Sequence, residues 1–291
     1  MTPLRQQFIR ELALRGMSPR TQVAYVAAVH RLAQYYHQAP DQLSEEQLKV
    51  YLLYLAQECH LAPSSLNQHV SGLRAFYDLV LHRSPEVLHR AVPRVRKAIR
   101  RPHVFSVQEL ERLFTVGCPH PKHRAFLMTV YGAGLRLNEA CHLRHEHLDS
   151  ARQQIRVEQG KGRKDRTTLL SPRLLAELRA YWRAFRPGAW LFPSSRDPQQ
   201  PLPAGTAQKL FWKAVARAGL PRKGGIHSLR HSFATHLIES GVEITVVQRL
   251  LGHSSLATTS TYLHVRQERL AQIVSPLQLL DLTGTPKTAQ A

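Results

Sequence analysis

The chain has 291 residues, room for one large domain or two smaller ones, and its 43% hydrophobic content fills real cores and excludes wholesale disorder. Forty lysines and arginines oppose twenty aspartates and glutamates, a formal net charge of +20 that points to a polyanionic partner bound in a salt-dependent way. Three widely spaced cysteines, Cys59, Cys118 and Cys141, exclude a disulfide framework and a Cys-rich zinc site and suit a reducing cytoplasm; no signal peptide and no membrane-crossing apolar run is legible.

Residues 1–88 read as four short helices forming a small bundle. Phe8, Leu12 and Leu14 mark the first, which Gly16 breaks. Ser18-Pro19 opens the second as N-cap and first-turn proline, with Tyr25, Val29, Leu32 and Tyr36 at helical spacing. Ser44 with Gln47 forms a capping box before Leu48, Tyr51, Leu52 and Leu55. The fourth starts near Pro63-Ser64 and carries Leu66, Val70, Leu73, Phe76, Tyr77 and Val80.

Residues 89–102 then form a basic linker. Arg90, Arg94, Arg96, Lys97, Arg100 and Arg101 crowd a stretch without an acidic residue, which suits a crossing of nucleic-acid backbone between two domains.

A second domain spans 103–282. Ser106 with Glu109 caps a helix through Leu113, and another helix covers about 122–131. Residues 153–170 change to period two: Ile155 and Val157, a turn at Gly160-Lys161-Gly162, then Thr167 to Leu170, a β-hairpin. Helices resume at 172–185, 206–218, 228–239 and 243–251. A polar tail, 283–291, reads as disordered. The fold class is therefore mainly α with a small antiparallel sheet, in two domains.

The chemistry concentrates between Arg136 and Tyr262. Arg136 lies in YGAGLRLNEA, where two glycines let backbone approach and a helix N-terminus follows; Glu139 is a candidate partner that orients it. In IHSLRHSFATH, Leu229, Phe233 and Leu237 make a core stripe, while His227 and Arg230, three apart, share another face. His227 and His231 have metal-pair spacing, but the glutamate of HExxH is missing and a third ligand is not evident, so neither metal nor cofactor is expected. His253 follows Gly252, a C-terminal helix glycine, and Tyr262 comes nine residues later. Lys161 sits at the hairpin tip, placed to protonate a departing oxygen. Two arginines, a lysine and two histidines can surround one phosphate, and a tyrosine can attack it. Arginine forks match its oxygens better than lysine does.

These boxes resemble those of the tyrosine recombinases, the family of phage integrases and Xer-like recombinases. GAGLRLNEA is similar to the first arginine box, GKGRKDR to the hairpin lysine, HSLRH to the His-x-x-Arg box and LLGH to the second-histidine box, and Tyr262 is spaced as the nucleophile. The likeness covers about residues 1–280, including RGMSPRTQVAYVAAVHRL in the N-terminal DNA-clamping domain. It departs at Asn138, where serine or threonine is common, and the Arg136–His227 interval leaves little room for the extra helix of integron integrases.

The resemblance implies site-specific recombination of double-stranded DNA without ATP. Tyr262 would form a 3′-phosphotyrosyl link, Arg136 and Arg230 would bind the scissile phosphate, and His227 would exchange the tyrosine proton. His253 would hydrogen-bond the phosphate and Lys161 would serve the leaving group. It also implies a homotetramer on synapsed DNA and exchange of a C-terminal helix, here Arg266 to Leu280. A DNA-binding accessory protein without catalysis fits the charge but has no use for Tyr262 and Lys161 together. A type IB topoisomerase shares the chemistry, but the small N-terminal bundle and short chain favour the recombinase.

Overall fold

A computed structural model describes residues 2–96, 102–158 and 165–252, and the chain divides into two compact units between Arg100 and Arg101. Both are dominated by helices, and a three-stranded antiparallel sheet lies in the second. No described helix is long and apolar enough to cross a membrane.

In the first unit, α1 (Pro3–Leu14), α2 (Pro19–Tyr36), α3 (Glu45–Gln57) and α4 (Pro63–Leu79) are the four expected helices. Ser18 caps α2, and Ser44 with Gln47 completes the capping box of α3. The apolar stripes meet in a core of Phe8, Leu12, Leu32, Leu48, Tyr51, Val70, Leu73, Phe76 and Tyr77. Phe8 and Phe76 pack edge to face at 5.3 Å. Leu14, the last residue of the expected first helix, is exposed, because α1 ends there and the chain turns away at Gly16 in the left-handed region.

A fifth helix, α5 (Pro85–Ala91), is an addition to the expected four. At seven residues it is too short to show a period, and only Ser84-Pro85 announces it. It extends into the basic segment, and Arg90 lies in its last turn. The chain beyond it is also held. Asn67 on α4 donates to the Val95 carbonyl at 2.8 Å and accepts from the Val95 N–H at 3.0 Å, and Arg74 Nε donates to the Val92 carbonyl at 2.9 Å. Arg90, Arg94 and Arg96 remain exposed. Lys97, Arg100 and Arg101 lie outside the described residues, as do the tail from Thr283 and the Arg266–Leu280 segment.

In the second unit, α6 (Val107–Thr115) carries the expected Ser106–Glu109 capping box, and α7 (Pro121–Gly132) leads to a short α8 (Leu137–Cys141). Strands β1 (Leu148–Asp149), β2 (Gln154–Val157) and β3 (Arg166–Leu169) pair in that order. β2 and β3 are the expected hairpin strands, whereas the two-residue β1 has no period to read. The register sets Ile155 opposite Thr168 and Val157 opposite Arg166. Then come α9 (Pro172–Phe185), α10 (Ala204–Arg217), α11 (His227–Glu239) and α12 (Ile244–Leu251). α11 runs through the interior: Leu229, Arg230, Ser232, Phe233 and Ala234 are all buried, while Leu237 is only partly so. Ser232 accepts the Phe105 N–H at 2.8 Å, tying the start of the unit to this helix.

One close approach sets the geometry of the first bundle. A β-carbon on Gly72 would lie 3.0 Å from Ala28 Cβ and 3.1 Å from Tyr25 Cα, so α2 and α4 meet almost backbone to backbone. Gly72→Val should overpack this contact and cost about 1–3 kcal/mol. Urea unfolding followed by circular dichroism should show the lowered midpoint; an unchanged midpoint would mean the helices part without cost.

Candidate active site

Arg136 is the residue immediately before α8. The loop that delivers it requires Gly134, which has φ of +60° and whose added β-carbon would fall 2.4 Å from Phe233 Cδ1. Only glycine combines that backbone conformation with contact against α11. Glu139, one turn into α8, reaches back to accept the Arg136 N–H at 2.8 Å and binds Arg136 Nη1 at 2.7 Å. The expected partnership of Arg136 and Glu139 is thus present.

Glu139 has a second, stronger partner that the sequence pattern does not announce. Arg166, first residue of β3, donates Nη1 to Oε1 at 2.8 Å and Nη2 to Oε2 at 2.7 Å, a bidentate fork. Arg230 approaches the same carboxylate at 3.9 Å. Burial alone would raise the Glu139 pKa, but Arg166 first and Arg136 next outweigh it and hold the carboxyl at about 2.

The three arginines also converge on the end of α12. Arg166 Nε donates to the Leu250 carbonyl at 2.9 Å, Arg230 Nη2 to Leu251 at 2.6 Å, and Arg136 Nη2 to Gly252 at 3.0 Å. Those carbonyls lack partners within the helix and form the negative end of its dipole, so cations belong there. Arg230 Nη1 further donates to the Gly134 carbonyl at 2.6 Å, closing the arginine loop onto α11. Gly252 itself is left-handed, φ +62°, and a β-carbon there would lie 2.7 Å from Arg166 Cδ.

Exposure separates the three. The side chain of Arg136 keeps 23% of its surface, against 8% for Arg166 and 6% for Arg230, so Arg136 is the guanidinium that an incoming anion meets most openly. His227 opens α11 and retains solvent access. Partial desolvation of its ring, then the Arg230 and Arg136 charges, lowers its pKa from the ordinary histidine value. Half-buried His231 is pushed to about 4 by burial, His227 and Arg230. At neutral pH the His227 imidazole is therefore uncharged and able to take a proton. Among the described residues, no group of three His, Cys, Asp or Glu side chains is arranged to hold a metal. Lys161, His253 and Tyr262 lie outside the described residues; His253 directly follows Gly252 in the chain.

Arg136, Glu139, His227 and Arg230 are thus brought together, and Arg166 joins them. Its signal is a charged residue in phase with the buried Thr168 and Leu170, facing Val157 on the inner side of the sheet.

Residues 104–269 match the phage integrase family, and residues 4–86 match the phage integrase N-terminal SAM-like domain. A Sinorhizobium fredii protein bearing the integrase/recombinase name y4qK is 41% identical over 281 residues, covering 96% of this chain and 90% of the relative. The tyrosine recombinase XerA of Thermococcus kodakarensis is 33% identical over 283 residues, covering 95% of each. Among solved structures, a lambda integrase tetramer bound to a Holliday junction superposes with a TM-score of 0.72 at 20% identity, over 89% of this chain and 76% of that one. The chain belongs to the phage integrase family of tyrosine recombinases. It is a DNA strand-breaking and rejoining enzyme that performs site-specific recombination.

Glu139 makes the cluster pH-dependent. Its pKa is depressed in the folded chain, so its pairing stabilises fully above the unfolded value of about 4.5 and is lost as pH falls toward about 2. Glu139→Gln should destabilise the protein at pH 7 by about 3 kcal/mol or more, because it leaves enclosed guanidinium charges uncompensated. The gap to wild type in unfolding free energy should narrow as pH falls from 4.5 toward 2; a constant gap would show that the charge of Glu139 plays no part.

Proposed function

We propose that Arg136 and Arg230 bind the scissile phosphate of a recombination site and that Tyr262 attacks it. The phenolic oxygen bonds to phosphorus, the bond to the 5′-oxygen breaks, and its electron pair leaves with that oxygen. Lys161 protonates the leaving oxygen, His227 takes the phenol proton, and His253 hydrogen-bonds a phosphate oxygen. A 3′-phosphotyrosyl link and a free 5′-hydroxyl result. Attack by the 5′-hydroxyl of a second strand reverses the step and completes exchange through a Holliday junction. Bond energy is conserved in the ester, so neither ATP nor metal enters this scheme.

The observation that carries this reading is the cluster at the end of α12. Arg136 and Arg230 come from distant parts of the chain to one point, with two positive charges in excess over Glu139 once Arg166 is counted. Such an excess suits a phosphate that gains charge in its transition state. The neutral imidazole of His227 beside it suits a proton acceptor.

In the same reading, residues 1–88 clamp double-stranded DNA, 89–102 cross its backbone, and 103–282 carry catalysis. Four protomers act on two synapsed sites in the cytoplasm and exchange the Arg266–Leu280 helix, whose Leu270, Ile273, Val274 and Leu277 supply an apolar face. The exposed Arg94 and Arg96, beside Lys97, neutralise phosphates along the linker.

Trapping on a library of nicked duplexes tests the nucleophile. Wild type should yield a nucleotide mass on the Tyr262 peptide, and Tyr262→Phe should lose it while binding DNA as before. An adduct that persists in Tyr262→Phe would overturn the assignment. For the linker, neutralising Arg94, Arg96 and Lys97 together should weaken binding to all sequences alike. The slope of log K against log salt should fall by about 1 for each phosphate that is no longer neutralised. An unchanged slope would remove these residues from the DNA interface.

A further inference from the structure

We propose that Arg166 is a positioning residue for strand cleavage: it shares both oxygens of Glu139 with Arg136, so that Arg136 keeps only one guanidinium contact to that carboxylate and stays oriented for the phosphate, with the end of α12 fixed. The inference rests on the reading above, in which Arg136 binds the phosphate.

Several cations compete for one carboxylate. Glu139 is nearly buried, and buried carboxylates seek cations. With Arg166 absent, the nearest would be Arg136, which already takes its orientation from Glu139 through Nη1 and the backbone N–H. A two-oxygen fork there, in place of the single Nη1–Oε1 contact at 2.7 Å that Arg136 now makes, would draw the Arg136 charge further toward the carboxylate. Arg166 prevents this by presenting a parallel fork to both carboxylate oxygens. Planar guanidinium does this and lysine does not.

Three features hold Arg166 to the task. Thr168, two residues along the same face of β3, donates to the Ala133 carbonyl at 2.8 Å and so fixes the strand to the loop that carries Arg136. The Arg166 Nε binds the Leu250 carbonyl. The stem of Arg166 passes over Gly252 so closely that a β-carbon would collide with it. Arg166 therefore touches Glu139, which orients Arg136, and also the last turn of the helix that leads directly to His253. Its charge cannot reach the phosphate as openly as that of Arg136, which makes it a positioning residue and not a binding one.

The test uses the full chain and a nicked duplex that traps the wild-type adduct. Gel-shift affinity and adduct rate are measured for wild type, Arg166→Gln and the double variant Glu139→Gln/Arg166→Gln. Arg166→Gln should bind DNA within about threefold of wild type but cleave about 100-fold more slowly, the scale expected for a small misplacement at a reacting centre. The double variant, which removes the uncompensated carboxylate as well, should recover at least about tenfold of that loss. A merely structural arginine would instead give losses that add, so a double variant no faster than Arg166→Gln overturns the proposal. If Arg166→Gln does not fold, the double variant decides alone: folded protein cleaving within about tenfold of wild type supports the proposal, and a loss of about 100-fold or more refutes it. The two readings fail separately. No Tyr262 adduct from wild type on DNA it binds removes the phosphate assignment and this inference with it. A wild-type adduct together with an unaltered rate in Arg166→Gln removes this inference alone.

Discussion

The second unit is organised around one nearly buried carboxylate. Glu139 stands among Arg136, Arg166 and Arg230, and each of those guanidinium groups also caps a carbonyl at the end of α12. Three like charges this close would repel one another strongly in a medium less polar than water. Glu139 makes their proximity tolerable, and helix carbonyls supply further negative potential. An enclosed charge cluster of this kind is weak as a source of net stability, because desolvation consumes most of what pairing returns. What it provides is geometry. Planar forks and fixed oxygens admit few arrangements, so the guanidinium planes are set before any ligand arrives.

That geometry depends on backbone devices far apart in the sequence. Gly134 lets the arginine loop lie against Phe233, and Gly252 lets Arg166 cross the end of α12. Thr168 ties β3 to Ala133, and Arg230 ties α11 to Gly134. Loop, strand and two helices therefore share one set of hydrogen bonds. Arg136 and Arg230, in the proposed scheme, hold the phosphate; the same two residues bind the carbonyls of Gly252 and Leu251. Any shift of their guanidinium groups toward a ligand is felt at the start of the segment that carries His253 and Tyr262. In the proposed scheme, recognition of the phosphate and the chain leading to the nucleophile thus share a single helix end.

Much of this is readable from the amino acids alone. Helix starts at Ser18, Ser44 and Ser106 follow from local capping chemistry, which acts over three residues and needs no tertiary contact. Arg136, Glu139, His227 and Arg230 stand out because each lies in a short pattern with one physical purpose. Arg166 does not, because its neighbours Lys161, Arg163, Lys164 and Asp165 make it look like one more charge on a solvated turn. Only the register of β3 against β2 shows that it points inward. β1 and α5 are hidden for a different reason: two residues and seven residues are too few for a period, and their existence is decided by pairing and by the pinning of Val92 and Val95 onto α4.

The excess of positive charge is then put to two uses that obey different physics. Arg94 and Arg96 are exposed, and exposed charges attract phosphate through a field that salt screens within about 10 Å at 0.1 M. The side chains of Arg166 and Arg230 are enclosed, hydrogen-bonded to fixed oxygens, and little affected by ions in solution. Arg136 stands between them, part enclosed and part open. Raising the salt should therefore loosen the grip on DNA long before it disturbs the arginine cluster. In the proposed scheme, affinity is set by many interchangeable surface charges, and reaction geometry by a few that are not interchangeable.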